Sequence, residues 1–340
     1  MRVRWDDVNA RARGLASRLL SREALAHLRS AGDLQRLSRA LAELGVLPDE
    51  IPNATAAALE LGLRRSAGHA LAIARRWLGA RAEVVAVAME LEDRRSLRAL
   101  VRGAAAGVRA DARLAGLIPT PALPERLLVE LAERSQVREQ AALLIAAGHP
   151  YGPSMLAAAA AQEPDLYAVE LAIARTFAAR AVHGARRGGR FLRDYVGDLI
   201  DLDNCRTALL LSGRETGEPS APAFLPGGHR LRQAQFERAA LAGDPLEVAR
   251  RLAQALDGET AAVVVRHAGD PAALDDALEI HRGETLRREA RLDPLGPAPF
   301  LHYCHRLRGQ TAALDGLVWS VELGVPVTRR AMAGAAAEAG

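Results

Sequence analysis

The stretch from Leu192 to Gly213, LRDYVGDLIDLDNCRTALLLSG, decides how the rest of the chain is read. Its centre, Asp201 to Ala208, sets an acidic, hydrogen-bonding step between two apolar stripes. Leu199, Leu202, Cys205 and Leu209 recur at helical spacing and share one face. Asp203 and Arg206 stand three residues apart, a helical neighbour pair that contributes roughly 0.3 kcal/mol when exposed. Asn204 falls on the flank, where it could tie one helix end to the next. Asp203, Asn204 and Arg206 could form a contact surface or an internal brace. The brace is favoured, because each residue type can satisfy a helix end.

A degenerate form of the same step recurs on both sides. Ser96-Leu97-Arg98 aligns with Asn204-Cys205-Arg206, and Ala313-Leu314-Asp315 is the third copy. The central residues are 97, 205 and 314, spaced by 108 and 109. Ile118-Pro119 and Leu225-Pro226 repeat at 107. Asp33, Ser135 and Asp244 each mark a break within a helical pair. Agreement of several short matches on one period predicts three copies of a helical unit. We place them at residues 1–116, 117–224 and 225–340. Three such bundles can close around a pseudo-threefold axis, funnel-shaped with a central cavity.

Composition agrees with an all-α chain. Apolar residues make up 49% and aromatics only 4%, so alanine, leucine and valine must do most of the packing. That favours close helix–helix contact over a sheet built on aromatic and β-branched side chains. All 45 basic side chains are arginine, which rules out a lysine Schiff base, a lysine general base or a Walker-type lysine. With 41 carboxylates the net charge is only +4, and no basic run carries interleaved aromatics, so nucleic acid is not an expected partner. Two cysteines, Cys205 and Cys304, fit a reducing compartment. The start of the chain lacks the apolar centre of a signal peptide, and no run approaches the roughly 20 apolar residues of a membrane span.

The periodicity predicts helices over most of the chain. Val8 to Leu28 and Leu34 to Leu44 keep an apolar face, with Gly32-Asp33 as turn or cap. Thr55 to Trp77 reads as one or two helices with an arginine-rich outer face. Glu83 to Leu91 is apolar on one side, and Glu92-Asp93-Arg94-Arg95 interrupts its phase before a new stripe from Leu97 to Ala104. Leu127 to Ala147 is broken near Arg134-Ser135. Gly148 to Pro153 is the plainest linker. Asp165 caps a long helix that ends at Gly188-Gly189. Gly213 to Gly228 is read as a surface loop. Leu231 to Leu256 is interrupted at Gly243 to Pro245, and Ala261 to Val265 reads equally as a strand or a short buried helix. Ala272 to Arg291 and Phe300 to Gly324 are the last helical runs, followed by an alanine-rich tail after Thr328.

Three local patterns suggest chemistry and are outweighed by plainer readings. Asp275, Asp276 and Glu279 resemble a metal-binding acid run, but they also suit a solvated helix start. His302-Tyr303-Cys304-His305 splits its ligands around a helix with no partner pair nearby. Gly184 to Arg190 resembles a phosphate cradle, but it follows a helix rather than a strand. It reads as an arginine loop in water, with a possible role in electrostatic contact with a partner. No metal site, cofactor site or catalytic residue is expected.

The residues also carry a family resemblance. Leu192 to Tyr195, then Asp203-Asn204-Cys205-Arg206-Thr207-Ala208 and Gly213, resemble the central signature of the C subunit (called d in eukaryotes) of the V-type and archaeal-type rotary ATPases. Asn9 to Arg13 and Leu19-Leu20 are similar to the family's opening helix. Phe224 to Gly228 with Phe236, and Pro294 to Gly296 with Tyr303 and Gly324 to Pro326, resemble its loop and its closing segment. Cys205 stands where leucine is usual and Ser96 where asparagine is common. The third copy lacks the Asn-Leu-Arg core.

The resemblance implies a funnel-shaped, all-helical, non-catalytic rotor subunit on the cytoplasmic face of the membrane. Its partners would be the proteolipid c-ring and the central-shaft subunits D and F. The membrane stator subunit (I/a) is a further candidate. It would transmit torque for ATP-coupled proton or sodium transport. Arg98, Asp203, Asn204 and Arg206 are then structural or interface candidates. Two alternatives stay open on the residues: a helical-repeat scaffold, and a helical metal-dependent diphosphate enzyme using Asp275, Asp276 and Glu279.

Overall fold

The computed structural model describes residues 4–160, 165–212 and 223–325. Glu163, Pro164, most of the expected loop after Gly213 and the tail after Thr328 lie outside the described residues. The described residues form sixteen α-helices and no strand. In chain order, the first part holds α1 (Asp6–Ala16), α2 (Arg22–Leu28), α3 (Leu34–Glu43), α4 (Ala56–Leu78), α5 (Ala86–Ala105) and α6 (Ala110–Arg113). Next come α7 (Glu125–Ala132), α8 (Val137–Ala146), α9 (Gly152–Ala158), α10 (Leu166–Ala185) and α11 (Gly189–Leu211). The last part holds α12 (Gln233–Ala240), α13 (Pro245–Ala253), α14 (Gly258–Arg266), α15 (Pro271–Leu292) and α16 (Ala298–Leu323).

Short helices alternate with three long pairs, α4/α5, α10/α11 and α15/α16. The starts are chemically marked. Asp33, Thr55, Asp165, Asp244, Asp257 and Asp270 each accept a hydrogen bond from a backbone N–H of the first turn. Such a cap is worth about 1 kcal/mol. Gly45 and Gly148 each take a φ of 69°, the left-handed turns that end α3 and α8.

Burial separates three apolar cores, and each set of short helices packs on the far half of one outgoing long helix. Leu97 to Val101 of α5 join Leu128, Leu131, Leu144 and Met155 of α7, α8 and α9. Leu202 to Leu209 of α11 join Phe236, Val248, Leu252 and Val264 of α12, α13 and α14. Ala313 to Val318 of α16 join Leu25, Leu37, Leu41 and Leu59 of α2, α3 and α4. The last of these links the two ends of the chain in one core.

The structure revises several local readings. Glu92 to Arg95 do not interrupt a helix, because α5 runs straight through them. Glu92, Asp93 and Arg94 are buried there, which is possible because other helices supply their partners. Ala261 to Val265 is helical, inside α14. Thr55 to Trp77 forms one helix, and its arginines are not all outward. Arg64 is buried against Glu125 and the carbonyl of Leu114. The linker at Gly148 to Pro153 is packed rather than loose, since Tyr151 and His149 are buried and α9 starts at Gly152. The end of the expected surface loop is likewise internal, with Ala223 and Leu225 buried. Asp203 and Arg206 meet partners on other helices rather than each other.

Candidate functional site

α5, α10, α11, α15 and α16 converge on a charged centre. Arg94 of α5 forms a bidentate pair with Asp203 of α11, and its guanidinium lies 4.7 Å over the ring of Phe177. Arg98 of α5 donates to Glu170 of α10 at 3.0 Å, and Arg102 binds the same carboxylate. Arg206 of α11 meets Asp275 of α15 at 2.8 Å. Arg95 bridges Glu92 of its own helix, at 2.8 Å, and Glu279 of α15. Arg308 of α16 reaches Glu92 at 3.4 Å. Every one of these arginines therefore ties its own helix to another.

Two adjoining cavities of about 570 and 470 Å³ flank this network and share Arg94, Arg98, Arg102, Asp203 and Arg206 as walls. The first is completed by Tyr167, Leu171, Leu210 and Leu225, an apolar side. The second is lined by α15 and α16 and carries seven arginines against four carboxylates.

The titration of these groups follows their surroundings. Burial alone would raise the Glu279 carboxyl, but Arg282, Arg95, His305 and Arg308 outweigh it and hold it well below the usual range. Burial lowers Arg98, and Arg94, Arg102 and Arg206 add to the effect. Burial also pushes Asp275 up, against the pull of Arg206 and Arg98. Asp275 and Glu279 are thus engaged by guanidinium groups, and this structure gives them an ion-pairing role. Cys304 is buried, and His305 stands 3.8 Å from Glu279.

Asn204 lines neither cavity and is fully buried. Its side chain donates to the carbonyl of Leu225 at 2.9 Å and accepts the N–H of the same residue at 2.8 Å. Asp201, one turn earlier, accepts the backbone N–H groups of His229, Arg230 and Leu231 at 3.1, 2.8 and 3.2 Å. The loop must lie very close to make these bonds. A Cβ on Gly228 would fall 1.9 Å from Asp201 Oδ1, and Gly227 has φ 114°. The two glycines are thus required by the clamp.

The clamp recurs at the repeat spacing. Asp93 of α5, 108 residues before Asp201, accepts the hydroxyl of Thr120 at 2.5 Å, and Thr120 accepts the N–H of Leu123. Gln310 of α16, 109 residues after Asp201, accepts the N–H of Leu20 at 2.6 Å. Each outgoing long helix therefore holds a connecting segment through a polar side chain at this spacing, and α11 adds Asn204 to Asp201.

The ion-pair positions repeat as well. Arg98, Arg206 and Asp315 are spaced by 108 and 109, and they face Glu170, Asp275 and Glu60. Each of those acids is the fifth residue of its helix. Sequence reasoning singled out Asp275 only as part of an acid run and passed over Glu60 and Glu170. The signal was available in the caps: counting five residues from Thr55, Asp165 and Asp270 reaches all three.

Fold and site together define an all-α frame, braced by charge and bearing two adjoining cavities. The chain belongs to the ATP synthase (C/AC39) subunit family, whose model matches residues 8–309. Comparison with curated proteins returns no match. Membership makes the protein a subunit of a V/A-type ATP synthase, in its rotor or stalk, from a family that is structural rather than catalytic. No helix among the described residues is long and apolar enough to cross a membrane.

Proposed function

We propose that the protein links the end of the central shaft, made by subunits D and F, to the proteolipid c-ring and passes torque between them. The observation that carries this reading is the family match across residues 8–309, joined to two adjoining cavities walled between them by five helices. In this reading residues 1–116, 117–224 and 225–340 are three quasi-equivalent units around a pseudo-threefold funnel. The cavity receives the shaft, and Arg98, Asp203, Asn204 and Arg206 keep its walls in register.

Torque needs a frame that does not yield. Replacing a buried ion pair by apolar residues is often neutral in stability, so such pairs are better explained by fixing geometry than by strength. Here they join helices in register, and the three clamps hold the connecting segments. The scaffold reading expects an open superhelix. The core shared by residues 20–63 and 313–318 weighs against it, because it joins first and last segments.

The direct test is deletion of the protein followed by assays on membranes. ATP hydrolysis by the head is expected to persist while proton or sodium pumping collapses. Intact coupled pumping in its absence would overturn the proposal. Affinity capture of the tagged chain from detergent extracts is expected to recover shaft and c-ring proteins together.

A further inference from the structure

The long pairs meet at three seams: α5 with α10, α11 with α15 and α16 with α4. The last of these closes the chain on itself. Leu59 and Leu63 of α4 and Leu314, Leu317 and Val318 of α16 are buried there in one core. At the matching place the first two seams carry Arg98 on Glu170 and Arg206 on Asp275. In the closing seam Asp315 stands opposite Glu60, so a second carboxyl takes the place of the guanidinium.

The surroundings do not restore the missing positive charge. Glu60 is 7% exposed, and its carboxylate accepts from two neutral donors, the indole of Trp319 and the backbone of Gly116. Asp315 Oδ1 is shut off from solvent and accepts no hydrogen bond among the described residues. The charged groups that act on Asp315 are Glu60 and Arg64 of α4 and Arg308 of its own helix. Arg64 is taken up by both oxygens of Glu125 and by the carbonyl of Leu114. Arg308 donates to the carbonyl of Gly116 at 3.0 Å and lies 3.4 Å from Glu92 of α5. The other helices packed on α16 are α1, α3 and α15, and among the described residues no charge of theirs acts on this carboxyl. His305 of α16 faces Glu279 of α15 instead.

The same groups hold a third piece of chain. Glu60, Arg64 and Arg308 each bond the backbone within residues 114–116, in the link from α6 to α7. α4, α16 and that link are thus fastened at one point, and the carboxyl pair lies within it. Ala312 and Arg308, one and two turns before Asp315, line the second cavity, so the fastening also holds a wall of that cavity.

Two carboxylates in a site of low dielectric repel each other, and burial adds to the cost of charging the second. A proton relieves both costs at once and needs no space. We infer that the seam between α4 and α16 is a proton-controlled latch. With a proton on Asp315 it is shut. With Asp315 and Glu60 both ionised, α16 parts far more readily from α4 and from residues 114–116. The other two seams, held by opposite charges, stay shut in both conditions. The inference goes beyond the proposed function and does not depend on it. It makes the α16 wall of the second cavity the one that yields with pH.

The sign follows from the two states of the seam. Burial, with Glu60 adding to it, pushes Asp315 up to about 7 in the shut seam, and opening returns it toward its ordinary 3.8. Between those values each unit of pH favours opening by up to about tenfold, and above them the effect levels off.

The test is hydrogen exchange of the full chain between pH 5 and pH 8, read by peptide and corrected for the intrinsic exchange rate. Opening at residues 56–64 and 313–321 is expected to rise by roughly fiftyfold to a hundredfold across that range, most of it below pH 7. Peptides of α5 with α10 and of α11 with α15 should change little. Asp315→Asn should abolish the rise. Glu60→Gln, which keeps an acceptor but removes the facing charge, should lower it by about threefold or more. His305→Gln should leave it in place.

Circular dichroism checks that each variant folds, and Glu60→Gln carries the test if Asp315→Asn does not fold. Equal exchange of the parent at the two pH limits, a rise that survives Asp315→Asn or is untouched by Glu60→Gln, or a rise shared equally by the three seams overturns the inference. Loss of the rise in His305→Gln would assign the titration to that histidine, and the latch falls.

Discussion

Arg98 meets Glu170 and Arg206 meets Asp275, but the matching position on α16 holds Asp315, and it faces Glu60. One place in the helical frame thus carries an ion pair twice and two carboxylates once. The neighbours adapt to the exception. Glu60 accepts the indole N–H of Trp319 at 3.1 Å and the backbone N–H of Gly116 at 3.2 Å. Asp315 Oδ1 has no hydrogen-bond partner among the described residues. Burial, with Glu60 adding to it and Arg308 and Arg64 opposing, pushes the Asp315 carboxyl up to about 7. The difference teaches that packing of the long pairs does not depend on the salt bridge. The backbone frame is set by apolar cores, and the charges tune it.

The largest expected effect breaks a buried ion pair beside that pattern, between Arg94 and Asp203. Asp203→Ala strands the Arg94 guanidinium, and loss of one partner from a buried pair costs about 3–5 kcal/mol. Urea unfolding should show a midpoint shift of that size. A change below about 1 kcal/mol would mean that solvent enters the cavities and screens the pair.

The next effect compares clamps. Asp201→Ala orphans three backbone N–H groups, that of Leu231 buried and those of His229 and Arg230 partly so, and is expected to cost about 2–4 kcal/mol, whereas Gln310→Ala orphans one and should cost about 1–2 kcal/mol. Equal losses in denaturant titrations would show that the three clamps do not scale with the bonds they make.

A smaller effect tests the exception itself. The folded carboxyl of Asp315 titrates near 7, above its ordinary value of 3.8. The native state therefore binds this proton more tightly, and its contribution to stability falls as pH rises through that window. Asp315→Asn removes the titration. It should raise the Tm at pH 8 by about 2–4 °C, and flatten the decline between pH 5 and 8. A variant whose pH profile overlies that of the parent would exclude Asp315 as the titrating group.

The smallest effect is expected at an exposed pair outside the frame. Arg126 lies 2.8 Å from Glu130, but its side chain is 91% exposed. Arg126→Ala should change stability by no more than about 0.5 kcal/mol.

Much of the frame was legible before any coordinates. Asp33, Asp165 and Asp244 announce helix starts by chemistry that acts within three residues. The spacing of 97, 205 and 314 picks out the three outgoing long helices, and their clamps repeat at the same interval. Asn204 reads from the sequence as a flank residue tying one helix end to the next, whereas it is fully buried within α11 and binds the backbone of Leu225 in a connecting segment. The charged run in α5 was misread for a physical reason. Periodicity treats charge as exposure, and Glu92 to Arg95 violate that rule because Asp203, Glu279 and Arg308 come from residues 109 or more positions away. Ala261 to Val265 was ambiguous because a short apolar run satisfies both strand and helix.

By itself the sequence determined the helical class, the spacing of the recurring polar positions and the caps, because propensity, period and capping are local and leave their marks within a turn or two. Only the tertiary structure decided which charges are buried, which partners they take, and that Asp315 faces a carboxylate where its counterparts face the opposite charge. Those outcomes depend on elements far apart in the chain meeting at one low-dielectric centre, and no short window of sequence contains both partners.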